Sequence, residues 1–398
     1  DIVLQMNLLP PSKSWGQGHS TKSVSPNFLP EELITIVLSL LPVKSVTRLR
    51  CVSPSWNSFI TDPTFVKLHL SRSSPNDRLT LVYTPDCAEV SFTVISLLQK
   101  PPITVKIPAD PYRHLRNTDC FYIIGSCNGL ICLFGQCFTA ISCQEMWFRC
   151  WNPATRTLSK KFRYSPDQLF PFTYPPHLVF GYDQSSNTYK VVYLVPKRKY
   201  TKVYRFGDNV WRDIQNSPVD HDYAIHLVIV RGTVNWLAIS RYSAFRYNCK
   251  AITIDQFVII SLDFSTETHT QLRLPGGFKE VPFVAPNLSV LNDSLCFSHD
   301  FQQTHFIIWK MMEFGVENSW NQFLKISYQS IEIYDHLNNS NFHMLPVCLS
   351  EKSDNILLTN SLETQSILYN LRYNTVERIK KTGWLNGWKY VESLVTFP

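Results

Sequence analysis

The feature that most constrains this chain is a change in the period of its apolar residues near position 78. Before it the rhythm is helical. Leu33, Ile36, Val37, Leu40 and Leu41 recur at three- and four-residue spacing, which puts them on one helix face. Pro30 suits a first-turn position, Glu31 and Glu32 favour the positive helix start, and Pro42 ends the helix. Val43, Val46 and Leu49 mark a second short helix. Ser53-Pro54 reads as an N-cap followed by a first-turn proline, opening a helix that carries Trp56, Phe59 and Ile60. Asp62-Pro63 repeats that signal ahead of Phe65, Val66 and Leu68. Residues 28–73 are therefore expected to form an all-α module of four short helices.

Beyond position 78 the period falls to two. Strand-like runs rich in Val, Ile, Tyr and Phe occur at Leu79–Tyr83, Cys120–Ile124, Leu130–Phe134, Lys190–Val195, Thr233–Ala238, Phe257–Phe264, Ser289–Phe297, His305–Trp309, Asn355–Leu358 and Gln365–Tyr369. So many short strands exceed a plain sandwich and point to a radial β architecture. A loose repeat of about 40–50 residues supports this. Gly129-Leu130 with Trp151-Asn152-Pro153-Ala154-Thr155-Arg156, Phe180-Gly181-Tyr182-Asp183 with Tyr189-Lys190, and Gly232-Thr233 with Ser261-Leu262-Asp263 are its members. The expectation is a mainly β chain with an N-terminal all-α module, residues 78–398 forming a propeller-like domain of about six blades.

Composition excludes several classes. With 44% hydrophobic and 17% charged residues the chain is globular, and no run approaches a membrane-spanning length. A net charge of +7 over 398 residues is too diffuse for a dedicated nucleic-acid binder. The 11 cysteines lie mostly in apolar runs, which fits a reducing cytosol or nucleus. Residues 1–27 are polar, rich in Ser and Pro, lack a signal-peptide core, and are expected to be disordered. The Asn-x-Ser motifs at Asn287, Asn292 and Asn338 are accordingly read as chance.

Chemical motifs are weak. Gly125-Ser126-Cys127-Asn128-Gly129 has the spacing of a nucleophile elbow, but an apolar β-branched run follows it where an elbow needs a helix. A turn between two strands accounts for it. The cysteines from Cys127 to Cys150 never form a ligand-spaced pair, and His221-Asp222 is a loop coincidence. Neither catalytic nor metal nor cofactor-binding residues are expected. Lys197-Arg198-Lys199-Tyr200, with Lys202 and Arg205, could grip an acidic partner; a solvated, charged strand edge explains it more simply.

The helical segment resembles an F-box. The residues that carry the likeness are Leu29-Pro30-Glu31-Glu32-Leu33, Ile36, Leu38, Leu41-Pro42-Val43-Lys44, Arg48-Leu49-Arg50-Cys51-Val52-Ser53, Trp56, Ile60, Pro63 and Phe65. The β region resembles the F-box-associated domain of the large plant F-box family, which includes kelch-type members and the S-locus F-box proteins. A kelch blade carries a Gly-Gly pair, and Gly276-Gly277 is the sole pair here, so the F-box-associated likeness is the stronger. The resemblance implies a non-catalytic substrate receptor of an SCF (Skp–cullin–F-box) ubiquitin ligase. The F-box would dock a Skp-family adaptor, and through it cullin, while the β domain holds a client protein. An interaction protein that binds a Skp adaptor outside a productive ligase is the alternative. The implied adaptor-binding face is Leu29, Pro30, Leu33, Ile36, Leu41, Pro42, Val43, Val46, Leu49 and Val52, with Trp56 and Ile60 as internal packing. Pro54 stands where F-boxes usually carry Lys or Arg, which removes a charge from the rim. Loops at Arg241–Lys250, Asp300–Thr304 and Asp335–Asn341 are expected lips of a client-binding face.

Overall fold

The computed structural model describes residues 30–72, 78–83, 91–98, 104–106, 114–116, 119–138, 143–164, 177–194, 199–208, 210–219, 225–242, 247–331, 344–350, 354–360, 366–379 and 388–397. The 1–27 segment, Leu29, His221-Asp222 and the Asp335–Asn341 loop lie outside them.

Four helices come first: α1 (Glu31–Ser39), α2 (Val43–Leu49), α3 (Pro54–Thr61) and α4 (Pro63–Arg72). Their boundaries follow from side-chain chemistry. The Ser53 hydroxyl accepts the Trp56 N–H at 3.2 Å, and Asp62 Oδ1 accepts the Thr64 N–H at 2.8 Å, each ahead of a proline that needs no partner for its nitrogen. Pro30 and Pro42 sit one residue outside α1 and α2, as N-caps, rather than within the first turn or at a helix end. Leu38, Val43, Val46, Trp56, Ile60 and Phe65 form a common core, each contributing about 1.5–3 kcal/mol by burial. His69 reaches the Leu41 carbonyl at 2.9 Å and Arg72 donates to Ser39 Oγ at 2.8 Å, fastening α4 to the end of α1.

Six antiparallel sheets follow among the described residues. The first comprises Arg78–Tyr83, Ser91–Leu98, Thr104–Lys106, His114–Arg116 and, from far along the chain, Trp388–Lys389. The second comprises Tyr122–Cys127, Leu130–Phe138, Cys143–Asn152, Thr157–Leu158 and Phe162–Tyr164; the third, Leu178–Asp183, Thr188–Leu194, Thr201–Arg205 and Val210–Asp213. The fourth comprises Ile225–Val230, Thr233–Ile239, Phe257–Asp263 and His269–Leu272; the fifth, Asn287–Leu291, Ser294–Phe301, His305–Met311 and Trp320–Ser327. Met344–Leu349, Asn355–Asn360, Ser366–Asn370 and Thr375–Ile379 form the sixth.

Alternate residues of one strand pack into different cores. In the third sheet Val191 joins the core shared with the second sheet, and Val192 the core shared with the fourth. In the fourth, Trp236 and Ala238 face back while Leu237 and Ile239 face forward. In the fifth, Leu295 and Phe297 face back and Cys296 faces forward. The second to fifth sheets are thus covered on both faces, in a β-propeller stack of six blades; in the second to sixth the first strand is innermost, and in the first that place falls to Trp388–Lys389. Pairing of Trp388–Lys389 with Val82 and Leu81 closes it.

This two-sided burial explains where sequence reading slips. Ser289–Phe297, expected as one strand, is a hairpin turning at Asn292-Asp293, both with positive φ (46° and 54°). Both flanks are apolar, so only the turn residues mark the break. Short outer strands such as His269–Leu272 and Thr375–Ile379 bury little and carry no apolar alternation, and were not expected.

Candidate functional site

Helix α1 is apolar on two sides. Ile34, Leu38 and Leu41 turn into the module core, and a separate stripe of Leu33, Ile36, Val37 and Leu40 meets solvent. These four have fractional exposures from 41% to 66%, and Val52, in the α2–α3 turn, has 61%. A surface helix normally needs one apolar face, so the second has no partner among the described residues. Pro30 and Pro42, at the α1 and α2 starts, are exposed as well.

Of the residues expected on this face, Pro30, Leu33, Ile36, Pro42 and Val52 lie on the surface, and Leu41 and Leu49 are half-buried against the core. Val43 and Val46 do not belong to it. They are buried at 2% and 0% exposure among Trp56, Ile60 and Phe65, because α2 turns its apolar side inward. Trp56 and Ile60 are interior. The exposed stripe also takes in Val37 and Leu40, beyond the face the resemblance implies: 33, 36, 37 and 40 make one stripe, and 34, 38 and 41 a second.

The helical module stands on one end of the propeller. The turn containing Ala154, in the second blade, reaches its core. Antiparallel topology puts the first-to-second and third-to-fourth strand turns of the second to sixth blades at that end. The described parts of the connections 240–256, 273–286 and 302–304 emerge at the other. There Tyr247 anchors its loop by donating to the Pro282 carbonyl at 2.7 Å. Of the expected Asp300–Thr304 lip, Asp300 is buried and accepts the Gln303 N–H at 3.0 Å, whereas Gln302, Gln303 and Thr304 are exposed. In the Arg241–Lys250 loop, Arg241, Asn248 and Lys250 are exposed and Tyr242 is buried.

The remaining motifs resolve into structure. Asn128 and Gly129 form the tight turn expected between two strands, with φ of 52° and 78°. Burial pushes the Cys127 thiol up to about 12, the reverse of what a nucleophile needs. In the basic stretch, Lys202 pairs with Asp213 at 2.8 Å and Arg205 with Asp208 at 3.4 Å. Thr201, Val203 and Tyr204 beside them are buried, so residues 201–205 are a covered blade strand with paired basic flanks; Lys199 and Tyr200 are exposed, and Lys197 and Arg198 lie outside the described residues. Asn287 is buried in a strand at 5% exposure.

Comparison with known proteins agrees with this architecture. The F-box domain family matches residues 27–68, and the family described as the F-box associated beta propeller domain matches residues 83–397. An F-box/kelch-repeat protein of Arabidopsis thaliana is 28% identical over 76% of this chain and 80% of its own length. A second Arabidopsis F-box protein is 26% identical over 75% and 76%, and the Arabidopsis F-box protein CPR1 is 22% identical over 83% and 79%. A chain of a solved nidogen/laminin complex covers 78% of this one and 96% of itself at 10% identity and a TM-score of 0.39, too distant to bear on function. An F-box implies association with a Skp-family adaptor, and proteins of this architecture are typically non-catalytic adaptors. The chain belongs to the plant F-box proteins that carry an F-box-associated β-propeller domain behind the F-box.

Proposed function

We propose that this protein is the substrate-recognition subunit of an SCF ubiquitin ligase. The Leu33, Ile36, Val37, Leu40 and Val52 surface docks a Skp-family adaptor, which brings cullin. The far end of the propeller holds the client. The observation that carries the reading is the second apolar stripe of α1, the geometry by which one helix seats on a partner's helices. Such a receptor raises the effective concentration of client lysines near the charged conjugating enzyme and needs no catalytic group of its own. The absence of a disulfide among the described cysteines goes with a cytosolic or nuclear setting.

Co-expression with a plant Skp-family adaptor, followed by co-purification, tests this. The wild type should elute as a one-to-one complex. V37D and L40D should each abolish capture with the thermal melt unchanged, because both side chains already face water. Retained capture by both variants would refute the docking face.

A further inference from the structure

Residues 388–397 touch the first three blades and the helical module in turn. Trp388–Lys389 complete the first blade, and Tyr390 fills the core between the first two blades. Ser393 is wholly buried and donates from Oγ to the Asn128 carbonyl at 2.6 Å. Leu394, 5% exposed, enters the core of the helical module among Leu38, Val43, Val46, Trp56, Ile60 and Phe65. Phe397 turns back into the propeller, with its ring centroid 4.9 Å from that of Phe206 and 5.3 Å from that of Phe162.

One side chain grips this segment from the second blade. Asn152, fully buried, donates from Nδ2 to the Ser393 carbonyl at 3.1 Å and to the Val395 carbonyl at 2.8 Å. Its Oδ1 accepts the Ala154 N–H at 2.9 Å and the Thr155 N–H at 3.3 Å, so the amide orientation is fixed by four contacts. Gly129 is required beside it: a Cβ there would lie 2.2 Å from Ser393 Oγ. The two sequence motifs that mark this β domain, Gly125–Gly129 and Trp151–Arg156, thereby meet on a single segment.

From this we infer that Asn152 and Leu394 are positioning residues: through residues 393–395 they lock the adaptor-docking helices onto the second blade and fix the direction in which an adaptor points relative to the client end. Without that lock only the Ala154 turn, among the described residues of the propeller, joins the helical core, and relative motion is the default for two domains joined by a small contact. The inference rests on the receptor reading only for its consequence, not for the lock.

The test uses the full chain with Cys51 and Cys137 replaced by serine and spin labels at positions 67 and 321, exposed sites on α4 and the fifth blade. Pulsed resonance gives the distance distribution between them. Wild type should show one narrow distribution. N152D, which keeps the oxygen contacts to residues 154 and 155 but loses both donations, and L394A should each broaden it about twofold or more while the blades keep their melt. L394M, which conserves volume, should restore the narrow distribution. Should L394A fail to fold, N152D decides. An unchanged width in N152D with folded blades would overturn the proposal, as would a broad distribution in wild type. Adaptor capture measured on the same samples is a separate readout, since its failure in wild type would sink the receptor reading and leave the lock standing.

Discussion

Among single residues, Lys190 has the largest predicted consequence. It is buried at 3% side-chain exposure, bridging Asp183 at 2.7 Å and Glu267 at 2.8 Å, and so joins the third and fourth blades. Burial alone would raise the Asp183 pKa. Hydrogen bonds from Lys190, Ser186, Ser185 and Ser265 outweigh it and hold the carboxyl well below the usual carboxylate range. K190A should lower stability by about 3–5 kcal/mol in a denaturant melt, because it strands a buried carboxylate. Histidines set a second trend. Burial lowers His269 to about 4 and also lowers His177 and His299. His299 is held neutral by geometry, since Trp309 Nε1 donates to its Nε2 at 3.2 Å and Nδ1 faces the Asp300 carbonyl at 2.9 Å. An unfolded histidine protonates near pH 6.5, so the unfolded chain binds more protons below that value. Stability should therefore be full above about pH 6.5 and fall as pH drops towards 4, with H269Q flattening part of the slope in melts across that range.

At the level of elements, legibility followed burial asymmetry. The helices were readable because Ser53-Pro54 and Asp62-Pro63 are local signals that tertiary context does not override. Inner strands such as Thr233–Ile239 were readable from β-branched and aromatic content alone, since every residue in that strand is buried. Outer strands such as Val210–Asp213 were not, because only Trp211 is buried there. The exposed stripe of α1 was half legible. Its spacing was visible at once, but which side of α1 the core occupies depends on how α2 and α4 pack, and that placed Val43 and Val46 inside. Nothing in the sequence marks Leu394 as part of the helical core, because its neighbours there lie more than three hundred residues earlier in the chain.

For the whole molecule, the blade stack and the helical module are separable in kind but share one segment. A fragment lacking residues 1–75 should keep a β-type circular-dichroism spectrum, because the five inter-blade cores among the described residues are built without helical residues. A helix-rich spectrum would contradict that division. The same fragment exposes Leu394 and should self-associate more than the full chain does, measurable by light scattering. Co-purification with a plant Skp-family adaptor, with the mass of the complex read by light scattering, tests the receptor reading at its root. Wild type should give a one-to-one complex and L40D a bare, folded monomer; a wild-type monomer that ignores several such adaptors would overturn the receptor reading.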